Sequence, residues 1–133
     1  MYIVSVVYFI DSNIYMNSTT QLTRNIEDNY SLTVYSGDSF LLKLTITDKD
    51  STVLDLTGKT TTINIRKYTG STVLVTGSAT LLVQSGAYKG MCIFQLTPTH
   101  TGSTLGRGKF DLEVVYNHTA TEIKTIKGVL IIE

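Results

Sequence analysis

Between Gly37 and Lys67 the apolar residues fall on a two-residue period: Phe40, Leu42, Leu44 and Ile46 alternate with Ser39, Leu41, Lys43 and Thr45. Successive side chains of an extended chain point to opposite faces, so this segment reads as a strand with one face in a core. Asp48-Lys49-Asp50-Ser51 then supplies a polar turn, and Val53-Leu54-Asp55-Leu56 runs a short edge segment into a second break at Thr57-Gly58. These are residues that favour turns by side-chain hydrogen bonding or by tolerance of unusual backbone angles. From Thr60 to Arg66 the alternation resumes with Ile63 and Ile65 inward. The unit is strand, turn, short edge, turn, strand.

The same grammar continues along the chain. Strands are expected at Leu32 to Tyr35, Ser39 to Thr47, Thr60 to Lys67, Val73 to Thr76, Ala79 to Gln84, Gly90 to Leu96, Lys109 to Tyr116 and Thr121 to Ile132, at the spacing of a sandwich. Tyr68 to Ser71, Ser85 to Tyr88 and Asn117 to Ala120 read as connections, and Pro98 to Gly108 is the longest loop, with room for one helical turn near Thr99 to Leu105. In the penultimate strand Phe110, Leu112, Val114 and Tyr116 define one face against Lys109, Asp111, Glu113 and Val115. Two sheets patterned in this way pack their apolar faces into a core about ten ångströms thick. The fold class is all-β, an antiparallel β-sandwich with an N-terminal extension.

A chain of 133 residues is read as one domain with a single core. Eleven Lys and Arg balance eleven Asp and Glu, so the basic excess that draws a phosphate backbone is missing, and nucleic acid is not expected as a partner. The single cysteine, Cys92, sits in the strand pattern Met91-Cys92-Ile93-Phe94 and reads as a small buried apolar residue. Tyr2 to Ile10 is apolar, but no Lys or Arg precedes it and no small-residue cleavage site follows, which makes it a poor secretory signal. It is also too short to span a bilayer as a helix, and no membrane partner is expected. As an exposed edge such a run would invite aggregation. It therefore pairs within its own sandwich or is taken up by a neighbouring subunit, and the pattern leaves both open.

Candidates for chemistry are few. The two histidines, His100 in the long loop and His118 in a turn, have no Cys or His at metal spacing and read as loop residues. Asp48, Asp50 and Asp55 cluster as calcium ligands would, but without the Gly and terminal Glu of a calcium loop they read as turn chemistry. Gly102, Gly106 and Gly108 lack the Lys-Ser or Lys-Thr of a phosphate loop. Asn17, Asn29 and Asn117 head glycosylation-acceptor triplets of the kind Thr-rich chains generate by chance. No catalytic, metal-binding or cofactor-binding residue is assigned, and no cofactor is expected. Tyr68, Tyr88 and the Pro98 to Gly108 loop are the only candidates for a sugar- or receptor-binding surface.

Gly37-Asp38, the alternating strand, the Asp-rich turn, Asp55-Leu56-Thr57-Gly58 and a strand ending in Arg66-Lys67 occur in an order that resembles the immunoglobulin-like module at the start of phage baseplate upper proteins and related small virion proteins. Leu96-Thr97, Gly106 to Gly108, Phe110-Asp111-Leu112-Glu113-Val114 and the closing Ile126 to Ile132 follow the same pattern, so the likeness runs from about Tyr35 to Glu133. It implies an immunoglobulin-like sandwich over residues 31–133, with residues 1–30 as a strand or extension and candidate assembly arm. It further implies a non-enzymatic structural protein located in a bacteriophage virion, with other virion proteins as partners. The last strand ends near Glu133 with no coiled-coil or receptor-binding continuation, which favours an auxiliary, decorating or cementing protein on the capsid, contacting the major capsid protein. A tail or baseplate component that anchors receptor-binding proteins is the alternative, and a carbohydrate- or receptor-binding module a further one. Tyr2, Val4, Val6, Tyr8, Phe9 and Ile10 are the expected interface residues, able to add a strand to a neighbour's sheet edge or to build a homo-oligomer by strand exchange.

Overall fold

The alternating segments become ten strands in a computed structural model of the chain. Residues 2–10, 21–25, 30–48, 52–68 and 70–133 are described, and of these 2–10, 21–25, 30, 48 and 126 as backbone alone. The strands are β1 (Tyr2–Ile10), β2 (Gln21–Asn25), β3 (Tyr30–Val34), β4 (Phe40–Asp48), β5 (Thr60–Arg66), β6 (Val73–Ser78), β7 (Thr80–Leu81), β8 (Met91–Leu96), β9 (Gly108–Asn117) and β10 (Ile123–Ile132). They form two five-stranded sheets, ordered β2-β1-β4-β8-β7 and β3-β10-β9-β5-β6. The all-β, two-sheet expectation holds.

Three expectations about individual elements need correction. An all-antiparallel sandwich was expected, but β3 runs parallel to β10, with Val129 opposite Ser31 and Ile131 opposite Thr33. The two strands lie at opposite ends of the sequence, so no hairpin joins them and no turn forces them antiparallel. Ser36 N–H donates to Glu133 O at 2.8 Å and Glu133 N–H to Val34 O at 2.9 Å, which carries the parallel ladder past both strand ends. The strand expected over Ala79 to Gln84 shrinks to Thr80–Leu81; Leu82 N–H still reaches Met91 O at 3.1 Å, and beyond it the Gln84 side chain donates to the Leu82 and Met91 carbonyls. The short edge at Val53 to Leu56 amounts to one bridge between Thr47 and Val53 plus Leu54 N–H to Ile46 O at 3.2 Å. β2, in contrast, falls in the N-terminal extension, where no separate strand was expected; the turn residues 49–51 lie outside the described residues.

β1 pairs with β4 of its own chain along nine positions, from Tyr2 opposite Asp48 to Ile10 opposite Phe40. Its other side carries β2, from Ser5 opposite Asn25 to Phe9 opposite Gln21. β1 thus lies inside its sheet, with a ladder on each side. Residues 11–20 lie outside the described residues.

The core forms where the two apolar faces meet. β4 supplies Phe40, Leu42, Leu44 and Ile46, all buried, while Leu41, Lys43 and Thr45 are half-buried on the other face. β9 supplies Phe110, Leu112, Val114 and Tyr116, also buried, so both expected faces are borne out. Ile63 and Ile65 of β5, Val75 of β6, Leu32 and Val34 of β3, Cys92 and Leu96 of β8, Leu130 and Ile132 of β10, and Leu56 before β5 join it. Each such side chain is stabilised by roughly 1.5–3 kcal/mol on leaving water. At the flank where β6 and β8 approach, Gly77 leaves room for Phe94: a Cβ there would stand 2.8 Å from its ring. On the outer face of the second sheet Thr76 Oγ1 donates to Asn64 Oδ1 at 2.6 Å, and Asn64 Nδ2 donates to Glu113 Oε1 at 3.1 Å. That polar ladder ties β6, β5 and β9 together.

Leu44 is fully buried in the middle of its sheet. Leu44→Ala is expected to lower the unfolding free energy by about 2–5 kcal/mol, measured by urea denaturation with the m-value unchanged. Leu41→Ala, on the half-buried face of the same strand, is expected to cost less than half as much.

Candidate functional site

Strand direction sorts the candidate residues onto two ends of the molecule. β4, β6 and β9 run from one end to the other, and β3, β5, β8 and β10 run back. Tyr35, the Tyr68 turn and the loop between β8 and β9 therefore share one end, called the Thr101 end below. Asp55, Tyr88 and His118 share the opposite, Gln84 end. Tyr68 and Tyr88, grouped as one sugar-binding surface from sequence, do not come together. Tyr35, which the sequence reading passed over, stands at the Tyr68 end with 56% of its surface exposed, against 65% for Tyr68. Lys67 between them and the core places its Nζ 4.8 Å from the centre of the Phe110 ring, a cation–π contact that holds the lysine at the sandwich.

At the Thr101 end the expected helical turn is present. Pro98 and Thr99 are helical and His100–Thr104 continues as a π-turn, closed by Thr101 N–H to Thr97 O at 3.2 Å and Leu105 N–H to His100 O at 2.9 Å. Thr97 caps it: its Oγ1 accepts His100 N–H at 3.2 Å, while His100 Nδ1 accepts Thr97 N–H at 3.1 Å. This is the reciprocal geometry of a capping box, with Pro at the first helical position and His where Glu or Gln usually stands. Thr101, fully buried, donates its hydroxyl to Asp38 O at 2.8 Å and accepts Gly37 N–H at 3.1 Å. The turn and the β3–β4 loop are thereby one unit.

At the Gln84 end one side chain does comparable work. Gln84 Oε1 accepts Leu56 N–H at 2.9 Å and Gly90 N–H at 3.0 Å, and Nε2 donates to Leu82 O at 2.7 Å and Met91 O at 3.1 Å. All four hydrogen-bonding positions of the amide are used. Leu56, fully buried, anchors the Asp55-Leu56-Thr57-Gly58 motif, and Asp55 Oδ1 accepts the Thr57 hydroxyl at 2.7 Å and the Thr57 N–H at 2.9 Å. These two bonds, aided by the charge of Lys89, hold the Asp55 carboxyl below the ordinary carboxylate value. Gly90 completes the corner at φ +83, where a Cβ would stand 3.0 Å from Ile46 O and 3.1 Å from Val53 Cβ. Neither Gln84 nor Thr101 was legible as a key residue, because a Gln or Thr in a polar stretch carries no periodic signal.

The remaining candidates also serve the fold. His118 Nδ1 lies 2.8 Å from Tyr116 Oη and provides a partner for a hydroxyl whose tyrosine is entirely buried. Asn117 Nδ2 donates to Thr60 Oγ1 at 3.3 Å; Asn17, Asn29 and Asp50 lie outside the described residues. Among the described residues no three His, Cys, Asp or Glu side chains group to hold a metal ion, and no helix is long and apolar enough to cross a membrane. Cys92 is buried; desolvation pushes its thiol up to about 11, against the opposing effect of a hydrogen bond with the Thr61 side chain from the facing sheet. The expected interface residues Tyr2, Val4, Val6, Tyr8, Phe9 and Ile10 stand opposite Asp48, Ile46, Leu44, Leu42, Leu41 and Phe40 in the β1–β4 ladder.

What the fold and these sites define is a two-sheet β protein in which Gln84, Thr101, His100 and Asp55 close turns and ends. No protein-family model matches the chain, and no curated protein is similar to it.

Two outcomes are expected. Gln84→Ala strands the Leu56 and Gly90 amide donors and the Leu82 carbonyl, while Met91 O keeps Leu82 N–H, and is expected to destabilise by about 2–4 kcal/mol in denaturant titrations. The Cys92 thiol is expected to react with a maleimide at pH 8 only as fast as the protein unfolds. Because the folded thiol is raised from 9.0 to about 11, the unfolded chain loses its proton first as pH climbs through that interval. Stability is thus full below it and falls across it, by on the order of 3 kcal/mol, a slope that Cys92→Ala is expected to remove.

Proposed function

We propose that this protein is a non-enzymatic structural component of a bacteriophage virion, an immunoglobulin-like sandwich that works through its surfaces as an auxiliary protein of the capsid. The fold reading is supported by strand order. β1, β4, β8 and β7 lie in the order of strands A, B, E and D of an immunoglobulin domain, while β5, β9 and β10 lie as C, F and G, with β6 added beside C. Only one cysteine is present, so the inter-sheet bridge of antibody domains has no counterpart.

The observation that carries the functional reading is the assignment of the reactive side chains. His100 caps a turn, His118 satisfies a buried tyrosine, Asp55 closes a turn, and Cys92 is sealed in the core. Residues that an active site would aim at a substrate are here directed at the protein's own backbone and core. The viral setting comes from the sequence resemblance between Tyr35 and Glu133. A β1 arm given to a neighbour would have to leave the nine-position ladder with β4, so assembly through other surfaces with β1 kept in place is the arrangement this geometry favours.

Immunogold labelling of purified particles with antibody to this protein is the test. Label over the head is the expected result. Label confined to the tail tip would move the assignment to a tail or baseplate component, and unlabelled particles would remove the virion role.

A further inference from the structure

We propose that the β6 edge of the sandwich is a dimer interface, where β6 of one chain pairs antiparallel with β6 of a second copy about a two-fold axis at Gly77. β6 and β7 are the edges of their sheets on this flank, and they run on through Ala79 as one extended edge. Natural proteins guard such edges with charges or proline, because an open row of main-chain groups recruits another strand. Between Lys67 and Lys89 this chain has no charged residue and no proline. The opposite flank is guarded: β2 carries Arg24, and Glu27 and Asp28 stand between β2 and β3 in sequence.

Register decides which main-chain groups are open. Hydrogen-bonded and non-hydrogen-bonded pairs alternate along an antiparallel ladder. Ala79 N–H donates to Thr61 O at 2.7 Å, one step beyond the pairs Ser78–Thr62 and Gly77–Ile63. Ala79 and Gly77 therefore turn their main chain toward β5, and Thr76 and Ser78, both exposed, turn theirs outward. The register shift between Ile65 and Arg66 lies at the start of β6, which leaves the stretch from Val75 to Ser78 regular.

The open stretch matches itself. Set antiparallel about Gly77, Thr76 of each chain faces Ser78 of the other, and each of these outward pairs exchanges both main-chain bonds. Gly77 faces Gly77, so no side chains collide on the axis and no like charges meet across it. Leu74, exposed on the same strand, is drawn toward cover. A foreign strand would meet the same open groups without this reciprocity. Because a two-fold axis uses one patch twice and the other flank is guarded, pairing closes at two chains instead of growing into a fibre. The second sheets of the two chains then form one continuous sheet with the β6 strands at its centre.

The test uses the full chain. Sedimentation velocity from micromolar to millimolar protein is expected to show a monomer–dimer equilibrium. Amide exchange at Thr76 and Ser78 is expected to slow by about tenfold as the dimer forms, while the Gly77 and Ala79 amides, bonded within the chain, hold their protection. Ser78→Pro removes an outward N–H, loses no bond to β5 and follows a glycine, which accepts the backbone that proline imposes. It is expected to be a folded monomer, checked by circular dichroism and urea denaturation. Ser31→Lys, at an exposed position on β3, is expected to dimerise as the wild type does. The exchange measurement is made on the wild-type chain, so it decides the matter whether or not Ser78→Pro folds. A chain monomeric throughout, a dimer whose Thr76 and Ser78 amides do not slow, a dimer kept in folded Ser78→Pro, or one lost in Ser31→Lys would each overturn the interface.

Discussion

The apolar faces of β4 and β9 can leave water only against each other, and almost every other feature of the molecule follows from that constraint. Each strand is central in its sheet, β4 between β1 and β8 and β9 between β10 and β5. Each puts four large side chains, Phe40 to Ile46 and Phe110 to Tyr116, into the shared core. A single sheet would leave its face wet, and two sheets facing each other bury both. Non-directional burial of this kind brings the layers together without specifying how the chain turns between them.

The turns are specified by polar side chains that substitute for backbone where ladders stop. Buried backbone groups at strand ends need partners, and in this chain a handful of residues supply them in bulk: Gln84 with four bonds, Thr101 with its link between two loops, and the Thr97–His100 pair with its reciprocal cap. This division of labour takes in His100, His118 and Asp55 among the described residues. It also concentrates sensitivity at the two ends of the sandwich, since changing one such residue leaves several backbone groups unsatisfied at once.

Much of this was legible in sequence, and the reason is periodicity. Phe40, Leu42, Leu44 and Ile46, and again Phe110, Leu112, Val114 and Tyr116, declare their strands and their inward faces because the pleat has a period of two. Buried Cys92 was legible for the same reason. Gly58, with φ 76, was legible as a turn because a type II turn ending at Lys59 needs positive φ at that position. The cap at Thr97-Pro98-Thr99-His100 was legible only as room for a helical turn, since His in place of Glu hides the capping-box pattern. β2 escaped because Gln21–Asn25 has no apolar alternation, and β7 was overextended because the polar role of Gln84 at the corner leaves no periodic signal.

The amino-acid sequence by itself determined that this chain is all-β, which side chains enter its core, and where most of its turns fall, because these depend on local pattern and on the chemistry of Gly, Asp, Thr and Pro. Only the tertiary structure decided which strands are neighbours. The parallel pairing of β3 with β10, the placing of β1 against β4 and the bond of Gln84 to Leu56 join residues far apart in sequence, and strand direction puts Tyr68 and Tyr88 at opposite ends. A hydrophobic pattern states that a face must be covered, and the geometry of two packed sheets selects what covers it.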